Sequence, residues 1–258
     1  MEQAKTIQER FSLDGKVCVI TGAEGFLGKN YVQAIKDAGG IPVSLDVAGE
    51  PDFKVDITNE GAVREAVEKI LEKHGRIAVL INNAAMNPAV GSEESQKQFV
   101  PVEDYPTELW RKELDTNLTA MFICCKAVIP VMKKKGGGVI INIASEVSEI
   151  AHDHRVYKQS GKYKSPAYVA SKTGVVGLTR ALAAQLGQYN IRVNAFSPGG
   201  VENPKMPKDF VERFGSASML GRMAQPDEYN AAILFLCSDA SSFMTGHNLV
   251  IDGGKSAW

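Results

Sequence analysis

The chain has 258 residues, 44% of them apolar, which is enough to bury the core of one α/β domain. Its 29 Lys and Arg against 30 Asp and Glu leave a formal net charge of −1. Near neutrality excludes a global basic field that would gather nucleic acid or anionic lipid, so the expected partner is a small molecule.

The N-terminal stretch MEQAKTIQERFSLDGK is charged throughout and lacks the apolar core of a signal peptide. KVCVIT (16–21) then reads as a buried strand, FLGKNYVQAIKDAG (26–39) as a helix ended by Gly39 and Gly40, and IPVSLDV (41–47) as a second strand. NEGAVREAVEKILEKHG (59–75) has amphipathic helical spacing and stops at Gly75, and IAVLINNA (77–84) is a third strand. A long helix is expected from about Thr107 to Lys134, followed by a strand, GGVIINIAS (137–145), and a helix, SPAYVASKTGVVGLTRALAAQLGQ (165–188). IRVNAFS (191–197) is a strand, PDEYNAAILFLCSD (226–239) a helix and HNLVIDGG (247–254) a last strand. Continuous Val/Ile/Leu strands alternating with helices point to an α/β fold: a doubly wound parallel sheet covered on both faces. No linker or repeat breaks the pattern, so residues 1–258 are expected to form a single domain. No apolar run is expected to reach membrane-spanning length. The four cysteines have no metal-ligand spacing with a histidine, so no metal is expected, and reduced thiols in a cytoplasmic protein follow.

The segment VITGAEGFLGKN (19–30) follows a strand and opens a helix, the context in which a glycine-rich loop cradles a dinucleotide. Its glycines, Gly22, Gly25 and Gly28, have the spacing GxxGxxG instead of GxGxxG. A plain strand-to-helix turn would carry the same residues. Asp46 ends the second strand 24 residues beyond Gly22, where an acid accepts hydrogen bonds from the adenosine ribose and repels a 2′-phosphate. Glu24 adds a second carboxylate, and together they favour NAD over NADP. The alternative for Asp46 is a strand-end turn residue. Of the seven tyrosines only Tyr168 has a lysine four residues on, Lys172, which on a helix places both on one face. Ser145, at the end of the fourth strand, is placed to hydrogen-bond the oxygen that such a tyrosine protonates.

Taken together, these motifs resemble the short-chain dehydrogenase/reductase family over nearly the whole chain. TGAEGFLG, with Glu24, Gly25, Phe26 and Leu27 between the outer glycines, is similar to its cofactor loop. VDIT, with Asp56 and Ile57, resembles its adenine-side segment, and NNAA, with Asn83, Ala84 and Ala85, resembles its NNAG. IRVNAFSPGGV, with Pro198, Gly199 and Val201, resembles the segment along the nicotinamide, and DGG at Asp252 the closing motif. TNLTAMF, INIAS and YVASK carry a complete Asn–Ser–Tyr–Lys tetrad: Asn117, Ser145, Tyr168 and Lys172. The resemblance implies a Rossmann-type sheet of about seven strands in a three-layer α/β/α arrangement, binding NAD. It implies that Tyr168 is the acid/base, that Lys172 lowers its pKa and holds the ribose, that Ser145 orients the carbonyl and that Asn117 supports a proton-relay water. The implied activity is NAD(H)-dependent interconversion of a secondary alcohol and a ketone, on a sugar-like or sugar-phosphate substrate. A sugar epimerase or dehydratase, and a catalytically silent NAD-binding regulator, are the alternatives. The family also implies pairing of the Ser165–Gln188 helix in a homo-oligomer, here a tetramer.

Three departures from the family pattern stand out. Gly25 and Phe26 replace the usual TGxxxGxG arrangement and resemble the extended, nucleotide-sugar branch. Asn203 stands where a Thr often contacts the carboxamide. Two loops, at about 87–104 and 146–164, look long and carry opposite charge, −3 over residues 88–104 and +3 over residues 150–164. They are expected to meet as a mobile cover over the substrate, the second, which holds His152, His154, Arg155, Lys158, Lys162 and Lys164, contacting its polar groups; the alternative is two unrelated, solvated insertions. The ending DGGKSAW also resembles dehydrogenases of bacterial surface-sugar and flagellin-modification pathways.

Overall fold

The computed structural model describes residues 5–87, 98–160 and 163–258. Its strands are β1 (Val17–Thr21), β2 (Ile41–Asp46), β3 (Phe53–Lys54), β4 (Val79–Asn82), β5 (Gly138–Ile143), β6 (Ile191–Pro198) and β7 (Asn248–Ile251). They form one parallel sheet in the order β3-β2-β1-β4-β5-β6-β7. Chain direction across the sheet reverses at β1, so the carboxyl ends of β1 and β4 flank the crevice where such sheets take ligands.

Residue parity along the strands decides the layers. Val17 and Val19 of β1 join Val43, Leu45 and Leu80 in a core closed by Ile70 of helix Glu60–His74, Val128 of helix Ala120–Lys134 and Leu182 of helix Pro166–Leu186. Cys18 and Ile20 face the other way. With Ile81 and Ile141 they pack under Tyr31 and Ile35 of helix Phe26–Asp37 and under Ile233 and Leu236 of helix Asn230–Cys237. Full burial of one such aliphatic side chain stabilises the fold by about 1.5–3 kcal/mol, so both faces need their helices. The four cysteines are free and buried.

All six strands read from the sequence are present. The seventh, β3, is two residues long and has no period of its own to read. A short helix, Ile7–Phe11, lies in the N-terminal segment that reads only as charged. It has no buried residue and is held by a capping box between Thr6 and Glu9. Helix Lys208–Gly215 was likewise not foreseen.

Thr107–Lys134 is helical as expected, but Asp115–Thr119 forms a π turn within it. This continuous helix of 28 residues is long and apolar enough to cross a membrane by composition alone, which corrects the expectation that no such run exists. Its Met121, Cys124, Cys125, Val128 and Met132 are nevertheless buried in the protein core, which accounts for its apolar character.

Candidate active site

Backbone contact dictates the glycines after β1. Gly22 has φ +65°, and a Cβ there would lie 2.7 Å from Ala84 Cα. A Cβ on Gly28 would fall 2.2 Å from the Gly22 carbonyl oxygen, so helix Phe26–Asp37 seats on the loop only through a glycine. Gly25, the N-cap, has an ordinary φ of −71°, and its Cβ would meet only that same oxygen, at 3.1 Å. Two of the three glycines are thus required by close approach, and Phe26 occupies the first helical position at the surface. Thr21 Oγ1 accepts from the N–H groups of Asn83 and Ala84 at 3.0 and 3.1 Å. Asn83 Nδ2 donates to the Thr21 and Gly22 carbonyls at 3.1 and 2.9 Å. These bonds pin the end of β4 to the loop.

Asp46 is fixed on the neighbouring strand end. Its Oδ2 accepts from the Glu24 N–H at 2.9 Å, and its Oδ1 accepts from the Val47 and Ala48 N–H groups at 2.7 and 3.2 Å. Glu24 pairs with Lys29 at 3.3 Å. Asp56 accepts from the Thr58 hydroxyl at 2.7 Å, a bond that holds its carboxyl below the usual range.

A cleft of about 1320 Å³ opens over these strand ends. Among the sequence-derived cofactor positions, Gly22, Glu24, Gly25, Phe26 and Leu27 line it on the loop side, and Asp46, Asp56 and Ile57 on the β2 side. Asn83, Ala84, Ala85, Pro198, Gly199 and Val201 complete that lining. Gly28 lies behind the loop. Ser145, Tyr168 and Lys172 line the same cleft, whereas Asn117 is fully buried beneath it. Asn203 reaches the lining too, but its side chain accepts from the Lys205 N–H at 2.9 Å within its own loop.

The tetrad is assembled from three elements. Asn117 sits in the π turn, a device common at functional sites. Its Oδ1 accepts from the Met86 N–H at 2.7 Å, and its Nδ2 reaches Ser171 Oγ at 3.4 Å. Ser145 ends the segment after β5 and lines the cleft with Tyr168, whose phenol pKa it lowers. Ser165 caps the helix that carries Tyr168 and Lys172 by accepting from the Tyr168 N–H at 3.2 Å. Lys172 Nζ donates to the Ile143 carbonyl at 2.7 Å and lies 5.8 Å from the Tyr168 ring centroid.

Burial pushes the Tyr168 phenol up to about 12, with Ser145 opposing the rise and Glu146 and Glu113 adding to it. Lys172 is itself pushed down to about 7 by burial. In the protein alone, burial thus acts on both groups, raising the phenol and lowering the amine.

Three features of the site were not legible from motifs. Glu146, the residue after Ser145, is buried and pairs with Lys255 at 2.6 Å, and burial raises its carboxyl pKa. Glu113 is fully buried; it is hydrogen-bonded by Tyr105 and accepts from Ser165 Oγ at 2.8 Å. The loop after Ser145 is anchored and does not stand free: Val156 and Tyr157 pack on Phe210, with Met206 and Phe214 against them. Arg213 Nε donates to the Val156 carbonyl at 3.2 Å.

Among the described residues the two long loops meet through side chains. Phe99 contacts Tyr157 edge-on at 6.1 Å, and Lys164 donates to Asn87. Arg155 is turned onto Asp153, and His154 packs on Tyr163. The acidic stretch at 88–97 and Lys162 lie outside the described residues.

A glycine cradle at a helix N-terminus, an acid at the end of β2 and a Ser–Tyr–Lys group converge at the switch point of a parallel sheet. Sequence comparison gives the same result: a family model described as Enoyl-(Acyl carrier protein) reductase matches residues 4–256. The chain belongs to the short-chain dehydrogenase/reductase family. Among its dehydrogenase/reductase relatives, the 3-oxoacyl-[acyl-carrier-protein] reductase FabG of Thermotoga maritima is 34% identical, with 94% of this chain and 98% of the relative covered. D-threitol dehydrogenase of Mycolicibacterium smegmatis is 32% identical, with 98% and 97% covered. A solved short-chain dehydrogenase from Leptospira borgpetersenii with bound NAD+ superposes with a TM-score of 0.85 at 28% identity, covering 99% of this chain and 98% of that one. This short-chain dehydrogenase/reductase is therefore an oxidoreductase of a family that uses nicotinamide cofactors. Its residues fit one: Gly22, Gly25 and Leu27 line the cleft, and the loop opens on a helix N-terminus whose cap, Gly25, has no side chain over it, a setting suited to a pyrophosphate.

Proposed function

We propose that the protein is an NAD(H)-dependent dehydrogenase/reductase that interconverts a secondary alcohol and a ketone on a polar, sugar-like substrate. The observation that carries this reading is that Ser145, Tyr168 and Lys172 line the same cleft that the glycine loop opens. A bound nicotinamide supplies the hydride acceptor in one direction and the donor in the other. Tyr168 Oη takes the proton from the substrate hydroxyl or returns it to the ketone oxygen. Ser145 donates to that oxygen and holds it against the tyrosine. Lys172, anchored on the Ile143 carbonyl, would hold the ribose, and Asn117 holds the Met86 backbone. The loop residues Gly22 to Leu27 hold the pyrophosphate.

Asp46 favours NAD, because a carboxylate pinned at this strand end repels a 2′-phosphate. The sugar-like substrate is supported by the polar groups at the cleft mouth and by similarity to a threitol dehydrogenase. We further read residues 1–258 as one domain in a cytoplasmic homotetramer. In support, Ala170, Thr173, Gly177, Ala181 and Ala184 leave small residues exposed along helix Pro166–Leu186, allowing a second helix to approach closely. Purified protein incubated with NAD+ and a panel of polyols, sugars and sugar phosphates should reduce the cofactor, as read by absorbance, with at least one of them. A flat trace across the panel in both directions contradicts the reading.

A further inference from the structure

Two polar groups beside Tyr168 remain unexplained by proton transfer. Lys164 Nζ lies 4.8 Å from the Tyr168 ring centroid and 5.1 Å from that of Phe99. It donates to Asn87; the Glu113 carboxylate acts on its charge, but among the described residues no ion pair to Lys164 forms. His152 stacks on Tyr168, with ring centroids 6.3 Å apart and planes at 27°. Its Nε2 is buried, with no hydrogen-bond partner among the described residues. Both side chains line the cleft with Tyr168, and Tyr157, Met206 and Phe210 form an apolar wall nearby.

Each group is costly where it stands. A desolvated ammonium needs a counter-charge. A buried ring nitrogen without a partner costs about 1–3 kcal/mol. Because both line the cleft beside Tyr168, an anion that reached both would satisfy both, accepting one hydrogen bond from Lys164 Nζ and one from an Nε2–H of His152. We propose that Lys164 and His152 form a subsite for a carboxylate of the substrate, so that the alcohol oxidised at Tyr168 is a hydroxy acid. The proposal rests on the dehydrogenase reading of this cleft. A carboxylate is preferred to a phosphate ester by charge count. His152 is held neutral, pushed down to about 3 by burial and then by Lys164, so the pair offers one cation to one negative charge. The competing role is structural: Lys164 as a cation over two rings that clamps the loop ends together.

Titration calorimetry separates the two. The protein, with and without saturating NAD+, is titrated with threonate, with threitol, which replaces the carboxylate by a carbinol, and with threitol 4-phosphate. Threonate is expected to bind at least about tenfold more tightly than threitol, a difference of about 1.4 kcal/mol. Lys164→Met should erase that preference while NADH affinity stays unchanged, and Lys164→Arg should keep it. His152→Phe should weaken threonate several-fold and leave threitol as it was. Equal binding of threonate and threitol, a preference that survives Lys164→Met, or tighter binding of the phosphate ester overturns the proposal. The titration reads no turnover. An enzyme that prefers threonate yet oxidises no alcohol refutes the proposed reaction and leaves the subsite standing.

Discussion

Lys172 Nζ donates to the backbone carbonyl of Ile143 at 2.7 Å, tying the helix that carries Tyr168 to the end of the central strand β5. The bond holds the amine in place, and burial sets its charge.

The first prediction concerns stability against pH. Lys172 is pushed down to about 7 by burial, whereas a lysine in an unfolded chain titrates near 10.4. Between those values the unfolded chain holds a proton that the native protein has shed, so stability rises with pH through this window. Lys172→Met should flatten that rise. Urea midpoints measured from about pH 7 to about pH 10 check it, since the difference between the two proteins removes other titrating groups. Parallel profiles would show that Lys172 does not titrate there.

Gly28 and Gly25 should respond differently to alanine. At Gly28 the methyl group meets the Gly22 carbonyl at 2.2 Å and backbone would have to move; at Gly25 the contact is 3.1 Å. Gly28→Ala should abolish NADH binding in a fluorescence titration, or destabilise the fold by about 1–3 kcal/mol. Gly25→Ala should weaken binding by no more than a few-fold. Equal losses would show that the loop does not pack as described.

Asp46 should set cofactor choice. Asp46→Ala removes the carboxylate facing the ribose, and with it a like-charge penalty against a 2′-phosphate. The ratio of NADPH to NADH dissociation constants should fall by about tenfold or more. Wild-type protein that already binds NADPH as tightly as NADH would contradict this assignment.

The Glu146–Lys255 pair should be costly to break from one side only. Both side chains are at least 90% buried, and their oxygen and nitrogen lie 2.6 Å apart. Lys255→Met leaves an unpaired buried carboxylate and should cost about 3–5 kcal/mol; adding Glu146→Gln should restore part of that. Thermal unfolding of the two variants is the measurement, and a double variant no more stable than the single would show that the pair contributes no coupling.

Much of this site was legible because it is built from short contiguous segments. VITGAEGFLGKN, INIAS and YVASK each end or begin an element, so strand and helix periodicity alone place Gly22, Ser145 and Tyr168 at one edge of the sheet. What escaped depends on distance in sequence. Glu146 and Lys255 are 109 residues apart, and no local pattern pairs them. The π turn around Asn117 has the same apolar spacing as the helix on either side. Lys164 reads as one charge of a basic loop until tertiary packing sets it over Tyr168. Proximity of a lysine to Tyr168 is visible in YVASK, whereas the burial that acts on both residues is not.

The central claim is that Tyr168 moves the proton. Tyr168→Phe keeps the ring that packs between His152, Lys164 and Lys172, and removes only the hydroxyl that Ser145 engages. Turnover of the best substrate from the polyol and sugar panel, measured alongside NADH affinity, is the most direct test. The expected result is unchanged NADH binding with turnover reduced by about 100-fold or more. Turnover within a few-fold of the parent enzyme, with cofactor binding intact, would contradict the account.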